Sequence, residues 1–278
     1  MKTNPFMRFY RFILLIVMTL LGVGASGCTN QIAIPMQSDG WSAQPIVNMN
    51  RFAADADLDS STGVPVGDKG YYLYILAEAA NWDFSAVSSL VFSIWLRPWA
   101  HSWIILESPD DQLEFGHTGD FGLATARYHE GVIKLGKAGD PNPIAYLWQT
   151  MSDGEFQAGR PNRPPSFVWR MPISRNHHQL IKDYVAQRKY DTFGLRNNNC
   201  TDMVAKTASL AGINLTHRMR LTLPEETTFL GKTLRIWTDP QYRILEFSTP
   251  EVLELELRQL ARMGIGSDVT EWYLSLKR

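Results

Sequence analysis

Of the 278 residues, two cysteines and six histidines are the side chains able to act as nucleophile, base or soft metal ligand near neutral pH. Cys200 follows three asparagines, Asn197, Asn198 and Asn199, and precedes Thr201-Asp202-Met203-Val204. Asparagine is a strong helix N-cap, so Cys200 is expected in the first turn of a helix running to Leu210 and stopped by Gly212. There the unpaired N–H groups and the helix dipole favour a thiolate. The same donors can hold the oxyanion of an attacked carbonyl, with Asn198 or Asn199 as side-chain donors or simply as caps. Val204, Thr207, Ala208 and Ala211 fall below the cysteine on one helical face, small enough to pack on a sheet. A buried, inert cysteine acting as a small hydrophobe is the plain alternative.

A nucleophilic thiol needs a base. His177 and His178 adjoin at a predicted helix start near Asn176, His217 lies in a polar turn, and His129 lies in a charged stretch. His101 and His117 differ, because each abuts an apolar strand. His101 opens HSWIIL, Ser108-Pro109-Asp110-Asp111 reads as a turn, and QLEFGH returns to His117. The hairpin lays the two strands side by side, which offers a base, an orienting group and a nucleophile.

The remaining elements are those that must position these groups. Tyr71–Ala80 (YYLYILAEAA) is expected as a short helix, and Ser89–Leu96 as a strand broken by Arg97-Pro98. Val132–Leu135 and Ser166–Pro172 are further strand candidates, separated by Gly/Pro-rich loops. Residues 220–278 are expected to hold one or two helices, Pro250–Met263 being the clearest.

The other cysteine speaks to location. Lys2, Arg8 and Arg11 precede the apolar run Phe12–Val23, and Gly24-Ala25-Ser26-Gly27 follows, a secretory signal pattern. Ala25-Ser26-Gly27-Cys28 resembles a bacterial lipobox, in which Cys28 is freed by cleavage and acylated. Thr29 in place of aspartate points to the outer membrane, facing the periplasm. The processed chain carries 24 basic against 28 acidic residues, a net of −4. That balance excludes phosphate neutralisation as a basis for nucleic-acid binding. Two cysteines exclude a disulfide-stapled scaffold, and Cys200 is left without an intramolecular partner.

Taken together, His101-Ser-Trp-Ile-Ile-Leu, the hairpin to His117 and Asn199-Cys200-Thr-Asp-Met-Val resemble the circularly permuted papain-like hydrolases, the group around lecithin:retinol acyltransferase and its bacterial cell-wall amidase relatives. The resemblance covers residues 88–215. It departs upstream of His101, where Arg97-Pro98-Trp99-Ala100 stands, and at the bulky Trp103. It implies an α+β fold with an antiparallel sheet packed on a helix that carries the nucleophile at its N-terminus. It also implies Cys200 as nucleophile, His101 as base, and His117 orienting His101.

The expected organisation is a signal peptide over 1–27, a tether and lead-in over 28–70, a catalytic domain over 71–219 and a helical extension over 220–278. The expected function is an envelope thiol hydrolase that cleaves an amide of peptidoglycan peptides through a thioester, with no cofactor and with the membrane met through the lipid anchor. Competing readings are a lipid acyl hydrolase or acyltransferase with the same triad, Trp95, Trp99 and Trp103 lining its groove, and a catalytically inert envelope binding protein. A zinc site of His101, His117 and Cys200 lacks any HExxH pattern.

Overall fold

The computed structural model describes residues 40–52, 67–87, 89, 90, 93, 100–119, 154–161, 163–194, 196–229, 232–237 and 239–276. Residues 1–27, expected as a signal segment, and Cys28, Trp95, Trp99, His129 and the candidate strand Val132–Leu135 lie outside the described residues.

An antiparallel sheet of six strands organises the chain. Its strands are β2 (Tyr72–Glu78), β3 (His101–Glu107), β4 (Gln112–Gly119), β5 (Gly154–Ala158), β6 (Phe167–Pro172) and the short β11 (Ser267–Asp268), in the order β11-β6-β2-β3-β4-β5. The fold is α+β. Its β3–β4 hairpin closes through the Ser108–Asp111 turn, where the Ser108 N–H donates to the Asp111 carbonyl at 2.8 Å.

Tyr71–Ala80 was expected as a helix and is instead largely β2, the strand between β6 and β3. Leu73, Ile75 and Ala77 are buried on one face of the sheet, Tyr74 and Leu76 on the other. A strand covered on both faces shows a continuous apolar run rather than alternation, which hides its period of two. In the segment Ser89–Leu96, expected as a strand, the described residues Ser89, Leu90 and Ser93 are helical, and the Leu90 N–H donates to the Ala86 carbonyl at 2.9 Å.

Three helices cover one face: α1 (Arg175–Gln187), α2 (Cys200–Leu210) and α3 (Pro250–Arg262). Ile181 of α1, Met203, Val204 and Ala208 of α2, and Leu253, Leu257 and Leu260 of α3 join Ile75, Ile104 and Trp169 of the sheet in one buried cluster. The cap of α1 is Ser174, whose hydroxyl accepts from the His177 N–H at 3.1 Å, two residues before the expected start near Asn176. His178, in the first turn, is buried edge-on against Tyr71. In α3, Thr249 caps and Pro250 occupies the first turn, where its missing N–H costs nothing. The opposite face holds Tyr74, Leu76, Trp103, Ile105 and Val168 under Tyr273 of α4 (Thr270–Ser275).

The described residues of both flanking segments pair or pack with this fold. β1 (Ser42–Pro45), placed in the tether by sequence, pairs antiparallel with β7 (Arg218–Thr222), and β7 pairs with β10 (Ile244–Ser248). Phe52 bridges Ile213, and Arg51 pairs with the buried Glu256 of α3. Residues 220–278 are not an all-helical extension. They add the hairpin β8 (Glu226–Phe229) and β9 (Lys232–Arg235), then β10, β11, α3 and α4, and α3 closes the main core.

Candidate active site

Cys200 is the first residue of α2, at 7% exposure. The local sequence imposes this. Asn199 Oδ1 accepts the Asp202 N–H at 3.0 Å while the Asp202 carboxylate accepts the Asn199 N–H at 3.1 Å, a closed capping box. Upstream, Asn198 takes a positive φ of 66°, a conformation asparagine tolerates better than most residues. Its amide donates to the Thr192 carbonyl at 2.7 Å and to the Thr192 hydroxyl at 2.9 Å. Asn199 Nδ2 donates to the Ser248 carbonyl at 3.2 Å. Both candidate oxyanion amides are therefore engaged, that of Asn198 within the loop and that of Asn199 by β10. The donors that head α2 beyond the capping box are the N–H groups of Cys200 and Thr201.

The thiol lies against Ser102 of β3. Burial raises its pKa above the ordinary value, while the Ser102 N–H and hydroxyl and the Thr201 hydroxyl, 3.8 Å away, pull it back down. Ser102 Oγ is 3.2 Å from Thr201 Oγ1, joining β3 to the head of α2. Below the first turn, Ser248 and His217 brace Asp202, the latter at 3.7 Å.

The two histidines do not form one cluster with the thiol. The register sets Trp103 opposite Gly116, so Ser102, and not His101, lies opposite His117. Side chains alternate along a strand, so His101 and His117 leave the sheet on opposite faces. His117 shares the face of Ser102 and α2. It is fully buried between Tyr190 and Phe193, with ring centroids 5.3 and 5.1 Å away. Its Nδ1 sits 3.2 Å from Arg188 Nη2, and Arg188 also donates to Asn198 Oδ1 at 2.5 Å. Arginine only donates, so this contact calls for a bare Nδ1 and a proton on Nε2. Burial, then the Arg188 cation, lower its pKa to about 4. His117 therefore does not orient His101. It helps hold the loop that carries Cys200.

His101 stacks on Trp103, 5.6 Å between centroids, and its Nε2 lies 2.6 Å from Oε1 of Gln157 on β5. Gln157 Nε2 donates to the Gly159 carbonyl at 3.1 Å, which turns Oε1 toward the ring. An amide oxygen only accepts, so the proton of His101 is on Nε2 and Nδ1 is bare. Nδ1 takes no hydrogen bond among the described residues, and none joins the ring to Cys200. Burial lowers the pKa of His101 to about 4; the Gln157 bond and the Glu78 carboxylate oppose that fall and the Arg163 cation adds to it. At neutral pH His101 is neutral and the thiol protonated.

Gln157, and not His117, is thus the hydrogen-bond partner of the His101 ring. Sequence reading missed Gln157 and Ser102; Ser102 beside His101 in HSWIIL was the available signal, and Gln157 left none. Trp103, expected to line a groove, is buried in the core. With the histidines on opposite faces the three-ligand zinc arrangement is not formed. Among the described residues no group of three His, Cys, Asp or Glu side chains is disposed to hold a metal ion.

No protein-family model matches the chain, and no curated protein or solved structure shows significant similarity to it.

Proposed function

We propose that this protein is a thiol hydrolase in which Cys200 is the nucleophile, His101 the base and Gln157 the group that holds the base in its working tautomer. The single observation that carries the reading is the 2.6 Å bond from His101 Nε2 to Gln157. It leaves Nδ1 bare one residue along β3 from Ser102, which bonds the thiol of a cysteine heading a capped helix. Alternation sends the ring to the far face of the sheet, so proton transfer to His101 has to pass around the open end of β3, where it is the first residue.

With a substrate carbonyl at the head of α2, Nδ1 takes the thiol proton as sulfur attacks. The carbonyl electron pair moves to oxygen, facing the N–H groups of Cys200 and Thr201. Collapse expels the amine, which receives the proton from His101, and leaves a thioester on Cys200. Water, deprotonated by the same nitrogen, then releases the acid. A peptide amide of the cell wall is the substrate favoured by the signal pattern and by the resemblance. The anchor at Cys28 and an outer-membrane location belong to the same proposal.

The test is Cys200→Ala against wild type on purified peptidoglycan and on phospholipid vesicles. The proposal expects muropeptide release by the wild type alone. Release from phospholipid instead moves the substrate to an acyl ester with the same residues, and equal turnover by both proteins ends the thiol mechanism.

A further inference from the structure

We propose that Glu78 is a positioning residue for the base, the carboxylate that stabilises the imidazolium formed when His101 takes the thiol proton; this deepens the thiol-hydrolase reading and rests on it. Glu78 and His101 are register partners at the ends of β2 and β3, which sets their Cα atoms about 5 Å apart with both side chains on one face. Glu78 Oε2 is buried and takes no aligned hydrogen bond, only the ion pair to Arg163 Nε at 3.2 Å. A buried carboxylate oxygen without a hydrogen bond is costly and calls for a reason. The transient cation on the adjacent ring supplies one. The charged and polar groups facing His101 are Glu78 from β2, Gln157 from β5 and Arg163 from the segment before β6.

Each group has a distinct part. Gln157 is neutral and decides which nitrogen carries the proton. Glu78 supplies the opposite charge, which is needed only after proton transfer. Arg163, at the rim with 36% of its side chain exposed, opposes the rise that burial imposes on the Glu78 pKa while lowering proton affinity at His101, so the resting ring stays neutral. Stabilisation that appears only once the proton has moved lowers the barrier without tightening substrate binding.

The experiment reads His101 directly, by NMR titration of histidine ring nitrogens, and Cys200 by its alkylation rate with iodoacetamide at pH 7. Glu78→Gln is expected to lower the His101 midpoint by about one pH unit and slow alkylation about tenfold. Arg163→Gln, at the exposed rim, is expected to raise the midpoint and serves if Glu78→Gln does not fold; Arg163→Lys is expected to restore the wild-type value. If His101 titrates as in wild type in both Glu78→Gln and Arg163→Gln, the assignment is overturned. A shifted midpoint in a protein whose Cys200→Ala form turns over cell wall as fast as wild type sustains the Glu78–His101 coupling and removes only the hydrolase.

Discussion

The bond between His101 and Gln157 makes the most specific claim on this site. Gln157→Leu keeps the volume of the side chain near that of the native residue and removes the acceptor. The Nε2–H, within a residue only 7% exposed, then has no partner in place of a bond of 2.6 Å. Stranding such a donor costs about 1–3 kcal/mol, part of which is recovered by rotating the ring or moving its proton to Nδ1. Rotation re-aims the bare Nδ1 and proton migration occupies it, so kcat/KM is expected to fall about tenfold to a hundredfold with the fold intact. Nitrogen NMR of the histidine rings at pH 7 reports the tautomer, with Nε2 protonated and Nδ1 bare in the wild type. Gln157→Glu should act in the opposite sense on the pH profile, since a carboxylate at Nε2 favours the imidazolium and raises the midpoint above its native value of about 4. If Gln157→Leu keeps both ring-nitrogen signals and turns over substrate within about twofold of wild type, the tautomer argument is wrong.

Glu251, fully buried in the first turn of α3, accepts the Ala80 N–H at 2.9 Å and is pushed up to about 7 by burial. Its native pKa exceeds the unfolded one, so the native state binds the extra proton between the two values; this stability is complete below about 4.5 and lost as pH rises through about 7. Glu251→Gln should abolish up to about 3 kcal/mol of the fall in stability between pH 5 and 8, read from urea midpoints. Asn198→Ala removes both bonds to Thr192 and puts alanine at φ 66°, and is expected to lower stability by about 2–3 kcal/mol and to slow Cys200 alkylation; an unchanged melting temperature contradicts the loop-locking role.

The head of α2 was legible because its determinants are local. Asn199 and Asp202 cap one another across three residues, and Gly212, at φ 86°, ends the helix where the sequence places it. The β3–β4 hairpin was legible for the same reason, its turn lying within four residues. β2 was not, because a central strand covered on both faces loses the alternation that identifies strands. Nor was the core role of α3, which depends on packing against strands some 80 or more residues earlier in the chain.

The sequence by itself determined that a cysteine stands at a capped helix start and that two histidines lie on paired strands. Only the tertiary structure decided how they are placed about it. In an antiparallel pair a slip of one residue turns every side chain of a strand to the other face, so the register across Ser108–Asp111 put Ser102, and not His101, opposite His117. The partner of His101 then came from β5, 56 residues away, through pairing at the edge of the sheet that no local pattern encodes.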